Sequence, residues 1–265
     1  MPLTLDHIVI AVRDLEQASA DYRALGFTVV AGGDHPGRPT HNALVVFADG
    51  VYFELIAWRA PAPDERWWQL LDAHGEGIVD FALLPDDTAA TVADAQARGL
   101  ALTGPHDGGR LRPDGAQLRW QTARPASADL PFLCGDQTPR TLRVPEGDVR
   151  VHPNGATGVA SLAIAVTDIA ASLQRYRALL GDAASAPGAV ALVPGTQGRQ
   201  ALVRLGAHTL VLSQVGTAPA TAVPTALESQ SAARGEGPYA LVLKTPQAGA
   251  TLDLTLAHGA SIEFG

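Results

Sequence analysis

Few side chains in this sequence stand where chemistry could be done. His7 lies in the apolar run Leu5-Asp6-His7-Ile8-Val9-Ile10, and Glu54 lies inside Tyr52-Phe53-Glu54-Leu55-Ile56. A lone carboxylate among such neighbours is costly to desolvate, so Glu54, if buried, needs a partner: His7, a metal or an arginine would serve. An imidazole and a carboxylate suit Zn²⁺, Mn²⁺, Fe²⁺ or Ni²⁺ and do not distinguish among them. Arg38, His41 and Asn42 cluster further along, and Arg110 and Trp120 later still. The single cysteine, Cys134, leaves no intrachain disulfide and obliges any metal site to use His and carboxylates. With no His beside it, Cys134 reads as an inert strand residue. There is no Gly-rich phosphate loop, Ser-centred nucleophile elbow, C-x-x-C or H-E-x-x-H.

The elements that must position these groups repeat. The segment Leu5 to Gly26 recurs without a gap as Val159 to Leu180, both sharing I-A-V-x-D followed by Y-R-A-L. Each predicts an apolar strand, an Asp that caps a helix (Asp14, Asp168), and a helix with one apolar face, ended in the first copy by Gly26. A fainter pair starts at Gly77 and Gly237, each with a strand, a Pro-containing turn, an Ala/Thr-rich helix and a Gly stop at Gly99 or Gly259. Asp86 and Asp87 read as helix-start residues. Strands are predicted at 27–30, 41–48 and 51–58, the last two joined by the turn Asp49-Gly50. Further strands are expected at 109–111, 117–122 and 130–134, and a hairpin at 201–205 with 208–215. Linkers are expected at 60–65, 137–154 and 217–225. Trp67 and Trp68 fall on an amphipathic helix where large rings cover a core edge, and His152 in H-P-N-G reads as turn punctuation.

With 265 residues, two domains are the natural expectation, and with 17% charged residues a sizeable core can form. Nineteen Lys plus Arg against 27 Asp plus Glu, with no basic cluster, exclude nucleic acid and anionic membranes as expected partners. No secretory signal or apolar run of about 20 residues is visible, so a cytoplasmic location is expected.

Four βαβββ starts, the opening L-D-H-I-V-I-A-V-R-D-L, F-E-L-I-A from Phe53, T-H-N-A-L from Thr40, the run ending L-R-W at Trp120 and H-P-N-G-A from His152 together resemble the vicinal-oxygen-chelate superfamily, in its glyoxalase-like branch. The resemblance spans nearly the whole chain. It implies an α+β fold of four βαβββ units, the last truncated, paired into curved mixed sheets around clefts. Residues 1–140 would hold units 3–58 and 77–136; residues 155–265 would hold a unit at 156–216 and the truncated one at 237–265. It also implies a divalent metal held by His7 on the first strand and Glu54 on the fourth. The other units depart from this pattern. The second offers Val79, or Asp80 if the register slips by one, and no closing carboxylate; the third offers Ser161 and Val211; the fourth offers Tyr239 and no last strand. An extradiol dioxygenase would keep its ligands in the C-terminal pair, which is empty.

Two readings remain. One is a metal-dependent lyase or isomerase, with His7 and Glu54 on the metal, Glu54 and His41 catalytic, and Arg38, Asn42, Arg110 and Trp120 contacting a small-molecule substrate through a carbonyl or vicinal oxygens. The other is a metal-free small-molecule binding or sequestering protein of the bleomycin-resistance type, with His7 and Glu54 merely paired. The C-terminal half would then be a buttress or a second site. Units that pair internally give a monomer, and an incomplete fourth unit leaves a sheet edge for a homodimer.

Overall fold

The apolar repeats become the central strands of two halves with one plan. The computed structural model describes residues 3–185, 188–195, 198–215, 225–246 and 250–265. In the first half β1 (Thr4–Ala11), α1 (Leu15–Ala24), β2 (Val30–Asp34), β3 (Thr40–Val46) and β4 (Tyr52–Trp58) form one βαβββ unit. After α2 (Arg66–His74) comes a second: β5 (Gly77–Leu84), α3 (Thr88–Ala97), β6 (Leu102–Leu111), β7 (Gln117–Pro125) and β8 (Phe132–Asp136). The eight strands close into a barrel in the order β1-β4-β3-β2-β6-β7-β8-β5. A short helix, α4 (Arg140–Arg143), and a 3-10 turn at Gly147–Arg150 lead to the second half. There β9 (Gly158–Val166), α5 (Ile169–Leu180), β10 (Val190–Gly195), β11 (Gly198–Leu205) and β12 (His208–Val215) repeat the unit. After α6 (Ala226–Ala233), β13 (Gly237–Lys244) and β14 (Ser261–Phe264) complete a six-stranded sheet, β10-β11-β12-β9-β13-β14. The linker expected at 217–225 lies almost wholly outside the described residues.

Local chemistry explains the boundaries. Asp14, Asp87 and Asp168 each cap a helix, accepting backbone N–H bonds from its first turn. Gly26, at φ 82°, ends α1, and the Phe27 N–H returns to the Tyr22 carbonyl at 3.0 Å. That bond removes Phe27 from strand pairing, so β2 starts at Val30 rather than at Phe27 as expected.

Side chains of the barrel strands alternate between two cores. Leu5, Ile8 and Ile10 of β1 join the large core outside the barrel, which runs on into the second half; Val9 and Ala11 join the inner one. The β1–β5 ladder skips Asp6 on one strand and Val79 on the other, two β-bulges. The β9–β13 ladder skips Ala160 and Tyr239, the same positions in the repeat. The bulge at Val79 supplies the one-residue slip considered from sequence: Ile78, Phe81 and Leu83 take the outer core, as Leu5, Ile8 and Ile10 do, which sets Asp80 in the place of His7.

The fourth unit departs from expectation in two ways. Among the described residues, 250–260 hold a turn rather than a helix, with His258 at φ 51°. The last strand is present: β14 runs parallel to β13 as β8 does to β5 and β4 to β1. The chain between β13 and β14 is too short for a helix and a hairpin. Among the described residues, no strand takes the places of β6 and β7.

The repeated tyrosines join the halves reciprocally. Tyr22 donates to the Ala257 carbonyl at 3.1 Å, and Tyr176 donates to the Asp129 carbonyl at 2.8 Å, all four residues being buried or nearly so. Removing the Tyr176 hydroxyl takes the donor from the buried Asp129 carbonyl, and removing that of Tyr22 leaves the Ala257 carbonyl with the Ala260 N–H alone. Tyr22→Phe and Tyr176→Phe should each cost about 1–2 kcal/mol, measured by guanidinium unfolding; unchanged midpoints in both would show that neither bond ties the halves.

Candidate functional site

The inner face of the barrel encloses a cavity of about 660 Å³. His7 from β1 and Glu54 from β4 reach it side by side, because the parallel register sets His7 opposite Tyr52 and Val9 opposite Glu54. His7 Nε2 lies 3.5 Å from Glu54 Oε2. The other ring nitrogen, Nδ1, is 2.7 Å from Asp6 Oδ2. In a regular strand consecutive side chains point to opposite faces; the bulge at Asp6 lets these two neighbours meet.

Asp6 is fully buried and anchored from the segment after β8. Its Oδ2 also accepts from Arg143 at 2.7 Å, and its Oδ1 accepts from Arg140 at 2.7 Å. Arg143 donates in addition to the Tyr52 hydroxyl at 2.8 Å, and the Tyr52 ring stacks on His7 at 4.7 Å between centroids. Arg143 thus controls His7 twice, through the carboxylate at its edge and the ring on its face. On the far side of Glu54, Oε1 accepts from Asn42 Nδ2 at 2.6 Å, and Asn42 Oδ1 accepts from Arg110 at 3.3 Å. His35 Nε2 stands 3.7 Å from the same Oε1, and its Nδ1 is 2.8 Å from the Thr40 hydroxyl. Gly32 makes this possible, since a methyl there would collide with the Asn42 amide.

Burial pushes the Glu54 carboxyl up, but His7, His35, the Asn42 N–H and Arg110 outweigh it and hold Glu54 below the usual carboxylate range. Burial, aided by Arg110 and Arg38, keeps His35 below the usual histidine value. At neutral pH, Glu54 is therefore an anion beside a neutral His35. Burial pushes the Asp6 carboxyl up as well, yet Arg143, His7 and Arg140 overcome it and hold it well below its ordinary value.

Of the residues expected from sequence, His7, Glu54, Asn42, Arg38, Arg110 and Trp120 all line the cavity. His41 does not. Alternation along β3 sends Thr40 and Asn42 inward, so His41 faces out, opposite Ala57 of the outer core. Arg38 is at the rim, its side chain 61% exposed and 3.5 Å from Glu65. Arg110 is buried and makes no ion pair within 4 Å among the described residues. Cys134 also lines the cavity, but burial pushes its thiol up to about 12, which leaves it unreactive. His152 accepts from the Thr28 N–H and packs on Phe27 and Phe47, a structural role. Trp67 and Trp68 pack against the edge of the inner core, as expected, and Trp67 also lines the cavity.

Four contributors escape the sequence reading. Asp6 adjoins His7 in sequence, but only the bulge reveals their contact. His35 follows β2 in the turn Asp34-His35-Pro36-Gly37, which reads as punctuation. Arg140 and Arg143 lie in a stretch read as a spacer.

The barrel is pseudo-twofold, and its second pole differs. Ala82 pairs with Phe132 as Val9 pairs with Glu54, so Asp80 and Phe132 stand where the first pole has His7 and Glu54. Phe132 offers no donor. Asp80 Oδ2 already accepts from Arg66, Arg124 and Trp67. Donor chemistry fits a divalent cation at the first pole only: Glu54 is ionised, and His7 Nδ1 rests on a carboxylate, the arrangement that orients a metal-bound imidazole. Among the described residues, no group of three or more His, Cys, Asp or Glu is arranged to hold a metal. Two protein donors would need water or substrate oxygens to complete a shell.

A barrel of two βαβββ units with a polar pair on its paired first and fourth strands defines a member of the vicinal-oxygen-chelate superfamily. The family model of the glyoxalase-like domain matches residues 5–180, and the chain belongs to that family. Among solved structures, a hypothetical protein from Staphylococcus aureus is similar over 99% of both chains at 13% identity, with a TM-score of 0.72. A mutant of 4-hydroxymandelate synthase from Streptomyces coelicolor is similar over 93% of this chain and 72% of its own, at 18% identity and a TM-score of 0.58. These likenesses concern the fold. A search of curated proteins gives no match. No helix among the described residues is long and apolar enough to cross a membrane.

Asp6→Asn would leave Arg143 paired with Asp136 alone, losing the charged hydrogen bonds to Asp6 at a cost of about 1.5–3 kcal/mol near pH 7. A depressed carboxyl stabilises fully above its unfolded value of about 3.9, and that stability is lost as pH falls through the lower folded value. Guanidinium unfolding should therefore show a gap between wild type and variant that is largest near neutrality and shrinks below about pH 4. A gap independent of pH would contradict the ion pairing.

Proposed function

We propose that this protein is a small-molecule enzyme of glyoxalase-like type that moves a proton on a carbonyl or vicinal-oxygen substrate bound inside the N-terminal barrel. One observation carries the reading: an ionised carboxylate, Glu54, held between two imidazoles inside a closed barrel with room for a substrate. A divalent metal on His7 and Glu54 would supply Lewis-acid polarisation of a substrate oxygen. The chain's own groups have separable tasks. Asn42, itself held by Arg110, fixes the Glu54 carboxylate. Asp6 and Tyr52 fix the His7 ring, so that its Nε2 faces Glu54. His35, neutral and with Nε2 toward the cavity, is suited to accept a proton from substrate carbon or oxygen. Tyr52, Phe132 and Trp120 form aromatic walls that limit water. Arg38 and Arg110 remain substrate contacts in this reading.

The test is solvent exchange. Incubated in D₂O with a panel of small 2-oxo and 2-hydroxycarbonyl compounds, the protein should exchange hydrogen at the carbon beside the carbonyl of at least one compound, seen by proton NMR. Glu54→Gln and His35→Ala should each slow this at least about 100-fold. The rate should fall in acid with a midpoint below about 6.5, as His35 protonates. Elemental analysis of wild type and His7→Ala reports whether a metal is held there. Tight ligand binding without exchange for any compound would favour the sequestering alternative.

A further inference from the structure

The second pole of the barrel carries Asp80 and Phe132 where the first has His7 and Glu54, with two arginines beside them. Asp80, its side chain 4% exposed, accepts on the single oxygen Oδ2 from Arg66 Nη1 at 3.0 Å, Arg124 Nη1 at 2.9 Å and Trp67 Nε1 at 2.8 Å. Two cations thus share the one carboxylate within 4 Å of them among the described residues. Arg124 is held in place by rings: its guanidinium carbon lies 4.4 Å from the Phe132 centroid and 4.6 Å from that of Trp67. Among the described residues, no other side-chain hydrogen bonds are made by the two guanidinium groups, and both line the cavity, 43% and 38% exposed. Their unused N–H groups are donors in a fixed planar fork, which matches a carboxylate. Only one ring separates this pole from the first, since Phe132 also packs edge-on against His7 at 5.3 Å between centroids.

We infer that this pole is a carboxylate subsite: the substrate is a small organic acid whose carboxylate is clamped by Arg66 and Arg124 while its oxygen-bearing carbon meets His7 and Glu54. The second clause rests on the function proposed above; the first stands on the Asp80 cluster alone. The aromatic lining, with Trp67 and Phe132 against Arg124 and Trp120 also in the wall, suits an aryl or other flat apolar body.

The experiment uses the full chain, 2-oxo-4-phenylbutanoate as the acid and its methyl ester as the neutral control, titrated by calorimetry in a carboxylate-free buffer. The acid should bind at least about tenfold more tightly than the ester. Arg66→Gln, a change at a half-exposed side chain, should reduce this preference, and Arg66→Gln with Arg124→Gln should abolish it. Arg124→Lys, which keeps the charge but loses the fork, should retain part of it. Equal binding of acid and ester by wild type, no binding of the acid at about 10 mM, or a preference that survives in the folded double variant would each overturn the subsite. His7→Ala and Glu54→Gln should keep the acid preference even where they stop exchange. A clamp without proton transfer therefore reads differently from transfer without a clamp.

Discussion

Everything at the reactive end of the barrel hangs on a carboxylate that would be intolerable alone. Asp6 is wholly buried, and an isolated carboxylate in such a place would take up a proton rather than stay charged. Arg143 and Arg140 keep it ionised, and ionised it can hold the edge of His7. The geometry exists only because β1 carries a bulge, which brings two consecutive residues to one face. Without the arginines the bulge would place an unpaired acid in the core; without the bulge the acid would face away from the imidazole.

The two halves offer an internal control. Bulges recur at equivalent points, Asp6 with Ala160 and Val79 with Tyr239, and the parallel register that sets Val9 against Glu54 sets Ala163 against Val211. The bulge therefore does not depend on those side chains: the second half has the same bend, with Ala160, Ser161 and Val211 in place of Asp6, His7 and Glu54. Bulged ladders here belong to the architecture, and the reactive groups are side chains mounted on it.

How far the sequence could be read follows from which signals are local. The repeated I-A-V-x-D and Y-R-A-L, the capping Asp residues and the turn at Asp49-Gly50 are short-range signals, and the strands and helices they mark are found. His7 and Glu54 stood out because polar groups in apolar strands need partners. His41 against Asn42 turned on parity, which is uncertain until one knows which face is inward. Asp6, His35, Arg140 and Arg143 were beyond reach because each acts through a partner distant in the chain or through a bulge. The last strand of the fourth unit was missed because four residues at a chain end carry too little pattern to separate a strand from a tail.

The connection between the halves also has a bearing on how the chain can be divided. By strand content the barrel is complete at Asp136, and a cut at residue 140 looks harmless. Such a cut would remove Arg143, the guanidinium that neutralises the acid beneath His7, although every strand of the barrel would remain. Modularity in this protein is thus offset from its secondary structure: the tether is an organ of the first half, and any transplant of the barrel must carry it.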